Sequence, residues 1–179
     1  MSKKVLVIST SPRKGGNSDT LADEFVRGAQ EAGNNVEKIA LYDHTIGFCK
    51  GCLACQKTQR CVIRDDADII AQKMLTADIL VFATPIYYYG ICGQMKTMLD
   101  RANPLFSADY QFRNIYLLAA AAEENEHTAD GAVTALKGWI DCFEKSRLSG
   151  IVFAGGVTSV GDIRNHPALK KAYEMGRAV

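Results

Sequence analysis

No apolar run in this chain approaches the ~20 residues that a membrane helix needs. The first such run, Val5-Leu6-Val7-Ile8, suits a strand, and the N-terminus shows no long h-region and no cleavage site. A cytoplasmic protein is the expectation, with no membrane partner. An excess of one charge is missing too. Lys plus Arg number 21 and Asp plus Glu 20. That balance argues against a general binder of nucleic acid. No linker, low-complexity stretch or internal repeat breaks the 179 residues, so one domain, 1–179, is expected, large enough for a real core. Histidine is scarce. His44, His127 and His166 stand singly in polar surroundings and read as caps or surface residues. No catalytic side chain is assigned.

Two glycine signatures are absent where the first strand meets the first helix. Without G-x-G-x-x-G, a dinucleotide pyrophosphate is not expected on that turn. Without G-x-x-x-x-G-K-[ST], ATP or GTP hydrolysis loses its sequence support. What stands there is Ser9-Thr10-Ser11-Pro12-Arg13-Lys14-Gly15-Gly16-Asn17-Ser18. A buried strand enters this glycine-containing loop and a helical pattern leaves it. Backbone N–H groups and the positive end of the helix dipole then point at one spot. Ser11, Asn17, Ser18 and Thr20 offer further donors, and Arg13 offers a planar cationic fork. The simplest ligand is a terminal phosphate monoester. The alternative is a capped turn with no ligand.

Strand and helix alternate along the whole chain, which points to parallel α/β. Strands are expected near 3–9, 36–41 (an edge strand), 78–85, 115–121 and 151–154, with Pro85 stopping the third. Helices are expected from about Ser18 to Ala32, after the Asp65-Asp66 cap, from about Ile91 to Ala102, around Ala132–Phe143 and around Leu169–Gly176. Right-handed crossovers leave few orders for five such strands, and 2-1-3-4-5 is the choice. The switch point then lies between strands one and three, bringing the loop at 9–18 beside the loop at 84–90.

That second loop is Thr84-Pro85-Ile86-Tyr87-Tyr88-Tyr89-Gly90. Three consecutive tyrosines cannot all enter a core, and Pro and Gly constrain the backbone around them. A phosphate site beside an aromatic, amide-lined loop suits a mononucleotide with a flat ring system, and FMN meets both demands. The alternative, tyrosines that form a dimer interface or a packed lid, is compatible with that reading.

These residues carry a resemblance. Ser11 to Ser18 resembles the S-P-R-x-x-G-N-[ST] phosphate loop of the NADPH-dependent FMN reductases. Thr84 to Gly90, with Lys96, Asp100 and Arg101, resembles that family's P-x-Y-x-x-x-x-x-x-x-K-x-x-x-D-R stretch. Gly161-Asp162-Ile163 and His166-Pro167 are similar to its small members. The resemblance implies a flavodoxin-like three-layer sandwich with a five-stranded parallel sheet, FMN as cofactor, NAD(P)H as electron donor and a homodimer. It places the phosphate at Ser11, Arg13, Gly16, Asn17 and Ser18. It places the flavin ring at Pro85, Ile86, Tyr87, Tyr88 and Gly90.

Four cysteines fall within thirteen residues, from Cys49 to Cys61, in a glycine-containing loop. Cys49, Cys52 and Cys55 have the C-x2-C-x2-C spacing that can wrap one face of a cubane, and Cys61 can complete a [4Fe–4S] site. Thiol or disulfide chemistry and zinc remain open there. Cys92 and Cys142 lie on apolar helical patterns and read as core thiols. The tight spacing also resembles the iron–sulfur flavoproteins of the same fold. Three functions follow: an NAD(P)H-dependent oxidoreductase acting on a small acceptor (quinone, nitroaromatic or flavin), an iron–sulfur electron carrier exchanging with ferredoxin, or a non-enzymatic flavin-binding protein.

Overall fold

The computed structural model describes residues 2–179. Six strands, β1 (Lys4–Ser9), β2 (Asn35–Ala40), β3 (Ile79–Tyr87), β4 (Gly90–Ile91), β5 (Asn114–Ala120) and β6 (Arg147–Ala154), alternate with helices α1 (Asn17–Glu31), α2 (Cys55–Thr58), α3 (Asp66–Thr76), α4 (Gly93–Arg101), α5 (Asp130–Ile140) and α6 (Pro167–Arg177). The five long strands are parallel in the order β2-β1-β3-β5-β6. This is the expected 2-1-3-4-5 sheet with one short strand, β4, added antiparallel to the end of β3.

Strand alternation divides the core into two layers. Leu6, Ile8, Phe82 and Leu117 face one side and pack with Ile70, Met74, Met95, Met98, Leu136 and Ile140 of α3, α4 and α5. Val5, Val7, Val81 and Leu118 face the other side and pack with Leu21 and Phe25 of α1 and Ala168 and Ala172 of α6. The central strand β3 is buried on both faces over Ile79–Pro85, whereas the edge strand β2 alternates in exposure. This is why the first reads as a continuous apolar run and the second as a weak pattern.

Turn chemistry sets the boundaries. The N–H of Asn34 donates to Ala29 O (3.1 Å) and that of Gly33 to Gln30 O (2.9 Å). This pair of bonds is a Schellman ending for α1. Asp65 caps α3 by accepting from Ala67 N (3.2 Å), and His166 caps α6 by accepting from Ala168 N (3.1 Å).

Three expectations need correction. Pro85 lies inside β3 rather than ending it. Pairing with β1 stops at Ser9–Ala83, so beyond that point β3 is an edge on that side and tolerates a residue without an N–H. Ile91 belongs to β4, and α4 starts two residues later, with Cys92 as its N-cap. β6 starts at Arg147, four residues earlier than expected, because Arg147-Leu148-Ser149-Gly150 carries too little apolar signal to mark an outer strand. Among the described residues no helix is long and apolar enough to cross a membrane.

Candidate functional site

The crevice lies at the carboxyl ends of β1 and β3, where the chain switches direction across the sheet. Thr10 N donates to Ala83 O (2.8 Å), carrying the β1–β3 ladder one residue past the strand. The chain then turns sharply. The Ser11 hydroxyl donates to Arg13 O (2.8 Å) and accepts from Arg13 N (3.2 Å), and Gly16 N donates to Arg13 O (3.1 Å). Gly16 is required by this closeness: a Cβ there would fall 2.6 Å from Ser11 Oγ and 3.1 Å from Arg13 O. Gly16 also caps α1 with no side-chain acceptor. The first-turn N–H groups of α1 therefore open onto the crevice with no intrahelical partner.

A carboxylate also sits in that first turn. Asp19 is buried, accepts from Gly15 N (3.0 Å) and pairs with Lys38 Nζ (2.7 Å). Burial pushes its carboxyl pKa up, but Lys38 and the hydrogen bonds around it leave it below the usual value. The Lys38 ammonium thus neutralises an anion that would otherwise oppose a phosphate. Nothing in the sequence marked this pair, because β2 brings Lys38 in from 19 residues away.

On the opposite wall, β3 and β4 form a hairpin whose two turn residues, Tyr88 (φ 50°) and Tyr89 (φ 62°), are both left-handed. Such a turn matches the strand twist but strains side chains larger than glycine. Tyr88 is fully exposed at the tip, and Tyr87 and Tyr89 are exposed beside it. The Tyr89 carbonyl rests directly on α5 at Gly131, where any Cβ would overlap it.

A third segment, 155–163, closes over the phosphate-type loop. Arg13 Nη2 donates to Thr158 O (3.1 Å). The Asn17 amide donates to Ser159 O (3.0 Å) and accepts from Ile163 N (3.3 Å). Asp162 accepts from Ser159 N (2.7 Å) and Thr158 N (3.0 Å), and these backbone bonds hold its pKa down. Asp162 therefore shapes the segment that meets Arg13. The motif Gly161-Asp162-Ile163 signalled it only by resemblance.

One pocket of about 150 Å³ gathers these walls: Ser11, Arg13, Asn17 and Ser18 on one side, Pro85, Ile86 and Tyr87 on another, Ala120–Ala122 after β5, and Val157 and Thr158. Seven of the expected FMN residues thus share one cavity. Gly16, Tyr88 and Gly90 do not line it: Gly16 packs against Ser11 Oγ and Arg13 O within the loop, and Tyr88 and Gly90 lie further along the hairpin. Thr20, a further donor offered by the sequence, turns back to Gly16 O (3.1 Å) on its own helix. The small Gly16 cradle, the helix N-terminus and the Arg13 cation fit a phosphate.

Cys49, Cys52, Cys55 and Cys61 line a different cavity, of about 400 Å³, beside the C-terminal ends of α4 and α5. All six cysteines are unpaired thiols. Cys92 is in the core as expected. Cys142 is not: it is exposed in the turn after α5 and lines this same cavity. Helix α5 ends at Ile140, so the helical spacing that put Cys142 inward does not extend that far. Among the described residues no three His, Cys, Asp or Glu side chains converge tightly enough to hold a metal ion. The donor chemistry nevertheless suits an anionic sulfur site. Asn103 Nδ2 donates to Cys55 Sγ (3.0 Å), and Gly51 N donates to Cys49 Sγ (3.4 Å).

A parallel sheet in this order with a helix N-terminus and an aromatic hairpin at its switch point defines a flavodoxin-like protein. The model of the NADPH-dependent FMN reductase family matches residues 3–161, and the chain belongs to that family of oxidoreductases. An iron–sulfur flavoprotein of Methanocaldococcus jannaschii is 39% identical over 111 residues, covering 62% of this chain and 57% of its own length. A Bacillus subtilis protein named as an NAD(P)H-dependent FMN-containing oxidoreductase is 30% identical over 188 residues, covering 96% of each chain. The NAD(P)H:quinone oxidoreductase of Methanothermobacter marburgensis has the same fold, with TM-score 0.78 at 19% identity over 99% of this chain and 96% of its own.

Proposed function

We propose that residues 2–179 act as one flavin-binding unit that takes reducing equivalents from NAD(P)H and passes them to a small acceptor such as a quinone, a nitroaromatic or free flavin. The observation that carries this reading is the pocket joining Ser11, Arg13 and Ser18 to Pro85–Tyr87. FMN bound there supplies hydride acceptance and onward electron delivery. The protein's own work is positional. First-turn amides of α1, the Ser11 and Ser18 hydroxyls and Arg13 hold the phosphate. Asn17 holds the 157–163 segment against them. The backbone of Pro85, Ile86 and Tyr87 borders the ring, with Tyr88 and Gly90 presenting the hairpin. The exposed tyrosine tip also offers a second copy an aromatic surface, which favours the homodimer.

The test is an anaerobic titration of FMN-loaded protein. NADH or NADPH is expected to bleach the flavin band, and air or a quinone to restore it. Bound flavin that neither coenzyme bleaches would overturn the enzyme reading in favour of a flavin-binding protein. Arg13→Ala is expected to weaken FMN binding by about tenfold, the value of one charge-assisted contact. Parent-like affinity in that variant removes Arg13 from the phosphate site.

A second reading is favoured by the cysteine cavity. Cys49, Cys52, Cys55 and Cys61 would hold a [4Fe–4S] cluster, which would supply single-electron exchange with a ferredoxin. The cavity is lined by Leu99 and Asp100 near the C-terminal end of α4, whereas β4, paired with the end of β3, leads into the first residue of α4, so the two sites lie towards opposite ends of this nine-residue helix. Anaerobic loading with iron and sulfide is expected to give a reduced-cluster EPR signal. Its absence from the parent, or its survival in Cys52→Ser/Cys55→Ser, counts against the assignment.

A further inference from the structure

Thr10, Thr84 and Cys92 are fully buried and come from the loop after β1, the end of β3 and the start of α4. Each hydroxyl or thiol has one proton to give, and the distances assign them. The Thr10 hydroxyl donates to Ala83 O (2.9 Å). The Thr84 hydroxyl donates to Pro85 O (2.9 Å) and accepts from Cys92 N (3.3 Å). The Cys92 thiol is left to donate to Thr10, whose carbonyl oxygen lies at 3.3 Å and hydroxyl oxygen at 3.2 Å. A continuous chain therefore runs from the phosphate-type loop through Cys92 to the loop that borders the ring.

We propose that this Thr10–Cys92–Thr84 bridge is a positioning device that aims the Ser11 and Ile86 amides at the flavin. The inference rests on the FMN reading of the crevice. Its physical basis is the planarity of the peptide unit. Pinning Thr10 O on the buried side turns the Ser11 N–H to the opposite side. Pinning Pro85 O does the same for the Ile86 N–H. Ser11 and Ile86 both line the crevice pocket, so the freed donors face the ligand. Ser11 N–H then meets the phosphate half and Ile86 N–H the ring half. The bridge sets their separation, because one residue, Cys92, holds both loops. Cys92 also caps α4, so its backbone cannot drift without moving that helix. A buried thiol that only filled space would not need to meet two threonines and a carbonyl.

The experiment compares Cys92→Ala, Cys92→Ser and Thr84→Val by FMN titration and by the midpoint potential of the bound flavin. Loss of one bridging bond is expected to raise the FMN dissociation constant about tenfold in Cys92→Ala and Thr84→Val. Cys92→Ser, which keeps a donor of similar size, is expected to stay within about threefold of the parent. The ring-facing amide senses the flavin's redox state, whereas a phosphate contact does not. Thr84→Val should therefore move the midpoint potential, and Arg13→Ala should leave it in place. Parent-like affinity and potential in both Cys92→Ala and Thr84→Val, with only a lowered melting temperature, would show a packing role and overturn the proposal. A parent protein that takes up no FMN overturns the site reading and the bridge together.

Discussion

Gly131→Ala is expected to weaken FMN binding by tenfold or more, although it is the kind of substitution that ordinarily strengthens a helix. Gly131 lies in the first turn of α5, and exchanging glycine for alanine in a helix interior gains about 1 kcal/mol from propensity. Here the added methyl would overlap the Tyr89 carbonyl oxygen and lie 3.3 Å from its carbonyl carbon. Both are backbone atoms, so no side-chain rotation relieves the clash. The hairpin has little slack to yield gently. Tyr88 and Tyr89 already occupy left-handed conformations that cost an L-residue roughly 1–2 kcal/mol each. They are held there by the two-residue turn and by the seat on α5. The expected relief is movement of the whole Tyr87–Gly90 turn away from α5, carrying the wall formed by Ile86 and Tyr87 with it. Flavin fluorescence titration reads the loss directly. A variant that binds FMN as the parent does, with a raised melting temperature, would mean that the hairpin does not touch the ring.

That seat shows what the sequence could and could not disclose. The five strands, their order and the switch point were legible because apolar runs of different lengths, bounded by Gly, Asn and Asp, each imply one element. The two site loops were legible because glycine, hydroxyl and tyrosine residues cluster where a strand should end. Contacts across the fold were not. The apposition of Gly131 and Tyr89 joins residues 42 positions apart, and glycine on a helix carries no mark of what lies above it. Lys38 neutralises Asp19 from another element, and a single lysine on an edge strand looks like solvent-facing charge. Cys142 was misjudged for a related reason. Helical spacing predicts a face only while the helix lasts, and α5 ends two residues earlier. Pro85 misled because the cost of a proline depends on whether the neighbouring strand is still paired at that level.

Asp65→Ala is expected to lower stability by about 3–5 kcal/mol, the usual consequence of stranding one partner of a buried ion pair. The Arg101 side chain is completely buried and makes a two-pronged contact with Asp65, at 2.7 Å for each nitrogen. The same guanidinium donates to Gly47 O (2.7 Å) and Ile63 O (3.0 Å). Asp65 in turn accepts from Gly47 N (2.8 Å) and caps α3. One pair thus ties the end of α4 to the start of α3 and to both ends of the cysteine segment. Its removal leaves a buried cation and frees residues 47–63 together. Hydrogen bonding from Arg101 is the main influence holding the Asp65 carboxyl below its usual range. A depressed carboxyl pKa in the folded state stabilises fully above the unfolded value, about 3.9, and the contribution disappears as pH falls through the lower folded value. Asp68 behaves in the same sense, held down chiefly by Arg60. The parent should therefore lose stability steeply below about pH 4, and Asp65→Ala should do so less steeply from a lower starting point. Urea unfolding at pH 7 and pH 3 measures both differences. The position of the pair gives a sharper discrimination. Flavin binding, which depends on the other end of α4, should survive in Asp65→Ala at low urea, while iron and sulfide loading of Cys49, Cys52, Cys55 and Cys61 should fail. Equal loss of both would mean that the cysteine segment and the crevice are not separately supported.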